Sequence, residues 1–469
     1  MATVKSGELF SRRRFLRWAA ATTSIGLQST RLQAAEMSAP NILFILADDL
    51  GYADLSCYGR RDYRTPVLDR LAGQGVMLTQ GYANSAVCSA TRVALITGRY
   101  QYRLRVGLEE PIAGSTAGFG LPPGLSTLPS LLRARGYRTA LVGKWHIGTP
   151  PEHGPLESGY DSFFGIAAGG ADYFTHRAAD RDRPDQPGLY EGDGPVTRDG
   201  YLTDLFADRA VREIRDAAAD LRPFFVSLHF NAPHWPWEGP DDGAAAATTG
   251  DLQDFDGGSL ATYAAMVRAM DAGIGRVLAE LDRLGLAENT IVVFTSDNGG
   301  ERFSDNWPFT GGKTELLEGG IRVPLIVRWP AAISAGRRSD QVTISMDFLP
   351  TLLAAAGAAP DPRIPSDGEN LLPVLAGRAP PYQRTLYWRF KNADQAAVRD
   401  GDWKYLKLGG HEYLFDLAAD PRERADLKNQ QTATFERLRQ NFTAWNATML
   451  PYPADSFSGS LTGRLADHY

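Results

Sequence analysis

Residues 41–49 read NILFILADD, and this stretch decides the fold. Six apolar residues run from Ile42 to Ala47 without a polar break and end abruptly at two carboxylates. A strand with one wet face alternates polar and apolar side chains. An unbroken run of this length reads instead as a strand buried on both faces, as in a parallel sheet covered by helices. Asp48 and Asp49 then fall just beyond the strand's carboxyl end, where open α/β sheets place their sites.

The pattern recurs along the 469-residue chain. Residues 137–142 read as a strand followed by Gly143-Lys144-Trp145-His146, and residues 223–230 as a strand followed by Asn231-Ala232-Pro233-His234. Residues 290–295 read as a third, followed by Ser296-Asp297-Asn298. Between them, apolar residues at helical spacing predict helices over 65–72, 125–135, 202–221 and 263–284. Pro66 sits in a first turn, and Gly136 and Gly285 act as stops. Strands alternating with helices predict an α/β fold, a large, mostly parallel sheet covered by helices on both faces. Four strands thus deliver Asp48, Asp49, Lys144, His146, His234, Asp297 and Asn298 to one edge.

From about Pro380 the texture changes. Short strands at hairpin spacing (386–388, 396–399, 403–406 and 413–415) carry Asp400-Gly401 as a turn signal, and a helix over 434–445 follows. This predicts a smaller C-terminal α+β domain with an antiparallel sheet over 380–469, behind a large domain over 36–379. Residues 243–258 read as a low-complexity surface loop.

The first 35 residues set the compartment. Ser11-Arg12-Arg13-Arg14-Phe15-Leu16-Arg17, a mild apolar stretch and Gln33-Ala34-Ala35 read as a twin-arginine export signal. The expectation is a periplasmic or secreted protein, delivered by the twin-arginine translocase and without a membrane span in its mature form. Losing residues 1–35 removes six basic groups and one acidic group, moving the formal net charge from −6 to −11. So acidic a chain is not a general nucleic-acid binder. Positive charge for an anionic substrate has to be concentrated in a site.

The candidate residues fall into two sets and one puzzle. Asp48, Asp49, Asp297 and Asn298 supply hard oxygens, and adjacent carboxylates repel unless a cation lies between them. Together they suit Ca²⁺ or Mg²⁺, while each pair alone suits a helix or turn cap. Lys144, His146, His234 and Lys313 form a cationic set. Lys313 lies in the Gly-rich Phe309-Thr310-Gly311-Gly312-Lys313-Thr314, which lacks the strand and spacing of a nucleotide P-loop. His229 and His234 straddle a strand end and Pro233, which argues against a shared zinc ion. The puzzle is Cys88, one of two cysteines with Cys57. Cys88-Ser89-Ala90-Thr91-Arg92 opens an apolar helical run, so residue 88 sits at a helix N-terminus with Arg92 one turn on. That setting favours a negative or strongly polar group. A disulfide half, a buried thiol and a nucleophile all stay open on these residues alone.

Cys88-Ser89-Ala90-Thr91-Arg92 resembles the C-x-[PA]-x-R signature of the type I, formylglycine-dependent sulfatases of the alkaline phosphatase superfamily. Ala90 stands where many members carry proline. Gly143-Lys144-Trp145-His146-Ile147-Gly148, Ala232-Pro233-His234-Trp235-Pro236 and Thr310-Gly311-Gly312-Lys313 resemble further segments of that family, and the whole is most similar to its arylsulfatase A and N-acetylgalactosamine-6-sulfatase branch. The resemblance implies a sulfuric ester hydrolase. It implies that Cys88 is oxidised to formylglycine by a formylglycine-generating maturation enzyme and acts as the hydrated aldehyde. It further implies Ca²⁺, in preference to Mg²⁺, on Asp48, Asp49, residue 88, Asp297 and Asn298. Arg92, Lys144, His146, His234 and Lys313 become the catalytic set, with Lys144, His234, Lys313 and Trp235 on a sulfated small-molecule or glycan substrate. The nearest rival is a formylglycine-dependent phosphonate or phosphodiester hydrolase. Twin-arginine export carries folded proteins, so the oxidation must precede export, which argues against a Cys57–Cys88 disulfide and leaves Cys57 as a buried thiol. Trp235, Trp237 and Trp307 suit stacking on a sugar or aryl ring, with plain burial as the alternative.

Overall fold

The structure, a computed structural model, describes residues 39–113, 118–178, 188–246 and 257–460. The expected export signal and most of the 243–258 loop lie outside the described residues.

The opening run forms strand β1 (Asn41–Ala47). Its side chains alternate between two apolar layers, Leu43, Ile45 and Ala47 entering one and Ile42, Phe44 and Leu46 the other. Both faces are covered, which is why no polar residue interrupts the run. Strands β2 (Arg138–Gly143), β3 (Phe224–His229) and β4 (Thr290–Ser296) follow the expected positions closely. β1 pairs parallel with β3 and β4, and β2 parallel with β3, giving the order β4-β1-β3-β2. The four strands that end in polar residues are therefore consecutive neighbours inside an eleven-stranded sheet of the described residues.

The sheet is mostly parallel. Arg322–Arg328 runs antiparallel to β4, and Val76–Tyr82 runs antiparallel to that strand in turn. Helix α1 (Cys88–Thr97) is buried along its whole length. Helices α2 (Leu202–Ala219) and α3 (Leu260–Arg283) cover one face with Phe206, Ala210, Ile214, Met266, Met270 and Ile274. Helices Leu128–Ala134 and Phe348–Ala355 cover the other. α3 starts earlier than its periodicity predicts because Ser259 caps it, its hydroxyl accepting from Thr262 N at 3.1 Å.

Strands Thr385–Phe390, Gln395–Asp400, Trp403–Leu408 and His411–Asp416 make a separate antiparallel sheet. Gly401 turns the second into the third with φ 60°, a conformation that favours glycine. Phe435 and Leu438 of helix Thr432–Asn446 pack on one face. Trp388 and Leu406 pack from the other against Tyr82, Tyr100 and Tyr102, and Trp388 Nε1 donates to Ala83 O at 2.9 Å.

No described helix is long and apolar enough to cross a membrane. Both cysteines are free. Cys57 is half-buried, less enclosed than expected, because it lies in the short helical turn Ser56–Tyr58, where its N–H donates to Asp69 Oδ1 at 2.8 Å.

Candidate active site

Beyond the ends of β1 and β4, Asp48, Asp49, Asp297 and Asn298 are all buried. Asp49 has φ 63°, in the left-handed region that aspartate enters more readily than most residues. Its N–H donates to Asp297 Oδ1 at 3.3 Å, and its Oδ1 accepts from Asn298 Nδ2 at 2.7 Å. One oxygen or sulfur each from Asp48, Cys88 and Asp297 lie within 4.8 Å of one another, and the same holds for ligand atoms of Asp48, Asp49 and His234. The expected carboxylate set therefore meets, and Cys88 meets it.

Basic side chains interleave with these acids. Arg92, one turn into α1, donates from Nε and Nη2 to Asp297 Oδ2 at 3.0 and 2.7 Å, and from Nη1 to Lys144 O at 2.8 Å. Lys144 Nζ donates to Asp48 Oδ2. Lys313 Nζ donates to Asp49 Oδ2 at 2.7 Å, and His234 Nε2 lies 3.7 Å from the same oxygen. Seven expected groups from four strand ends, one helix start and one loop thus share a single buried cluster.

The thiol of Cys88 faces His146, Sγ to Nδ1, at 3.2 Å. His146 Nε2 lies 3.0 Å from Ile112 O. A carbonyl only accepts, so Nε2 carries the proton and Nδ1 turns its lone pair toward position 88. His234 is oriented in the opposite sense, Nδ1–H donating to Trp235 O at 2.6 Å and leaving Nε2 as the free nitrogen. Burial, aided by Lys144 at His146 and by Lys313 at His234, holds both imidazoles well below their ordinary pKa, so both are neutral. Burial also pushes the Cys88 thiol up to about 11, against the pull of Lys144. Burial and Asp297 raise Asp48 well above the usual carboxylate range. At Asp49 burial pushes the same way, but Lys313, by its charge and its hydrogen bond, and Lys144 outweigh it and hold the carboxyl low.

A family profile described as Sulfatase matches residues 40–358, and one described as N-sulphoglucosamine sulphohydrolase, C-terminal, matches residues 312–446. The chain is 37% identical to steryl-sulfatase of Mus musculus over 77% of its length and 69% of that protein. It is 34% identical to N-acetylgalactosamine-6-sulfatase of Canis lupus familiaris over 75% of its length and 68% of that protein. The solved structure of Ps i-CgsB in complex with k-i-k-neocarrahexaose superposes with TM-score 0.80 at 30% identity, covering 91% of this chain and 96% of that one.

The chain belongs to the sulfatase family. It is a sulfuric ester hydrolase, with the mostly parallel sheet that its strand pattern predicts and the alkaline-phosphatase-like fold that the resemblance implies.

The sulfatase offers a divalent cation a fitting set of donors. Asp48 Oδ1 and Asn298 Oδ1 are buried without a hydrogen-bond partner. The Asn298 amide cannot simply be turned to relieve this, because its Nδ2 already donates to Asp49 Oδ1 and to Gly299 O at 2.9 Å. Two orphaned hard oxygens among three carboxylates are what a bound Ca²⁺ or Mg²⁺ would satisfy.

Two residues of this cluster escaped sequence reasoning. Glu301 Oε2 lies 3.3 Å from Lys313 Nζ, its carboxyl pushed up to about 7 by burial against the pull of Lys313. His229, weighed only as half of a zinc pair, sits instead behind Arg92, with Nδ1 3.3 Å from Nη1 and Nε2 3.1 Å from Ser227 Oγ. Its place at the end of β3 was the available signal. Of the tryptophans, Trp237 takes the buried alternative and packs on Phe303, Trp235 is half-buried beside His234, and Trp307 is exposed.

Proposed function

We propose that this sulfatase removes sulfate esters from carbohydrates, with residue 88 oxidised to formylglycine and Ca²⁺ held by Asp48, Asp49, Asp297, Asn298 and residue 88. The observation that carries the proposal is Cys88 itself. Burial holds its thiol up at about 11, so at neutral pH it stays protonated, which does not suit thiolate chemistry. Yet it sits at a helix start, against the free nitrogen of a neutral histidine, among Arg92, Lys144 and Lys313. That setting suits an oxygen nucleophile.

Formylglycine, once hydrated, supplies two hydroxyls on one carbon, one to attack sulfur and one whose deprotonation releases sulfate by breaking a carbon–oxygen bond. Calcium supplies positive charge where oxygen anions gather. The chain's own residues do the rest. His146 accepts a proton at Nδ1, the atom facing residue 88, while Nε2–H stays on Ile112 O. Lys144 and Lys313 neutralise the sulfate oxygens. Asp49 and Glu301 hold Lys313 well above its ordinary pKa although burial opposes its charge, so it stays cationic. His234 assists the departing alcohol from Nε2. Arg92 is fixed by Asp297 and Lys144 O and holds residue 88 in turn.

The same proposal covers what surrounds the reaction. Residues 36–379 form the catalytic domain and 380–469 a C-terminal subdomain. A formylglycine-generating enzyme modifies Cys88 in the cytoplasm, and the twin-arginine route then exports the folded protein to the periplasm or beyond. The glycan assignment is supported by similarity to an N-acetylgalactosamine-6-sulfatase and to a structure holding a carrahexaose.

Comparison of kcat/KM on an aryl sulfate and the matching aryl phosphodiester tests the choice of reaction. A preference for sulfate of about a hundredfold or more is expected, roughly 2.7 kcal/mol of transition-state discrimination. The reverse preference would assign the site to phosphodiester or phosphonate hydrolysis. A phosphonate monoester hydrolase of Agrobacterium radiobacter shares the fold at TM-score 0.62 and 24% identity.

A further inference from the structure

Residues 297–313 leave β4 with Asp297 and Asn298 and return with Lys313. The loop between them is braced. Asn306 Oδ1 accepts from Gly300 N at 3.0 Å, its Nδ2 donates to Gly311 O at 3.1 Å, and Lys313 N donates to Gly300 O at 3.1 Å. Directly after that bridge comes Trp307, 61% exposed. The indole is thus held in solvent on a rigid support that also carries two of the expected site's ends.

A second group is aimed at it from the C-terminal segment. The Arg422 guanidinium carbon lies 5.0 Å from the Trp307 ring centroid. Arg422 is exposed, but its backbone is fixed, because Thr310 Oγ1 donates to Arg422 O at 2.7 Å. The next residue, Glu423, takes φ 56°, a strained conformation for glutamate. Its buried carboxylate accepts from Glu318 N at 2.6 Å and pairs with the fully buried Lys404 at 2.8 Å. Strain of this kind persists where the surroundings over-determine it, and it gathers at binding sites. Among the described residues no carboxylate lies within ion-pair distance of the Arg422 guanidinium, so its charge stays available.

We infer that Trp307 and Arg422 form a second sugar subsite beside the sulfate-cleaving cluster. It takes the neighbouring residue of a sulfated oligosaccharide, the ring lying on the indole and that sugar's own sulfate or carboxylate on the guanidinium. The inference rests on the carbohydrate reading given above and adds that the enzyme reads more than the sugar it desulfates. A cation–π pair serving only surface stability would leave substrate choice untouched.

The test measures kcat/KM for wild type, W307A, R422A and R422K on 4-nitrophenyl sulfate and on galactan, chondroitin and heparan sulfate hexasaccharides. The expected result is an oligosaccharide-over-aryl ratio that falls about tenfold in W307A and R422A, chiefly through KM, with R422K between them and wild type. A ratio unchanged in both alanine variants, or equal losses on both substrate types, overturns the subsite while the carbohydrate reading stands. A wild-type enzyme that cleaves the aryl sulfate and none of the hexasaccharides overturns the carbohydrate reading and the subsite with it.

Discussion

Cys88→Ala is expected to abolish sulfate-ester turnover, with kcat down by at least about 10⁴-fold, while the fold survives. The side chain touches His146 through one contact at 3.2 Å, and helix α1 is held by the apolar packing of Val93, Leu95 and Ile96. Truncating one sulfur in that setting costs roughly 1 kcal/mol, so the apparent Tm should move by only a few degrees. Measurable turnover above the uncatalysed rate would contradict a nucleophile at position 88. Cys88→Ser sharpens the expectation. A serine offers one hydroxyl where the hydrate offers two, so any ester it forms keeps the sulfate with no internal route to release, and alcohol release should stop at one per site or fewer with no free sulfate.

The second large effect belongs to Asp297→Asn. Its carboxylate takes two hydrogen bonds from Arg92, and both side chains are buried. The next carboxylate oxygen, Asp48 Oδ2, lies 3.9 Å from Arg92 Nη2. Removing one partner of a buried ion pair costs about 3–5 kcal/mol, because the other charge remains desolvated. The same substitution removes a proposed calcium ligand. Wild type should therefore gain thermal stability as calcium is added after chelation, by mass action on the folded state, and Asp297→Asn should gain little. Differential scanning fluorimetry with and without calcium reads both effects. A variant that keeps the full calcium-dependent rise would remove Asp297 from the metal site.

Much of this architecture was legible because burial writes itself into sequence. NILFILA is unbroken since both faces of β1 are covered, and each central strand announces its end with a polar residue that helices and strands seldom need there. The antiparallel part of the sheet was not legible. Arg322–Arg328 carries Pro324, and a proline inside a strand argues against strand. The structure accommodates it at an irregularity, where the pairing slips between Leu78 and Gly81 of the neighbouring strand. Glu301 was invisible for another reason. It lies in a loop with no periodicity, and the bridging of Gly300 and Gly311 by Asn306, together with the Lys313 N–H on Gly300 O, brings it back to Lys313. Arg422 sits 109 residues beyond Lys313 in sequence, and its place beside Trp307 depends on a buried Lys404–Glu423 pair that no local pattern announces.

The chemistry at residue 88 can be weighed directly. In a preparation that hydrolyses sulfate esters, the tryptic peptide from Leu71 to Arg92 should be about 18 mass units lighter than its encoded sequence, the difference between a cysteine thiol and an aldehyde. An active preparation in which that peptide carries only unmodified Cys88 would contradict formylglycine catalysis.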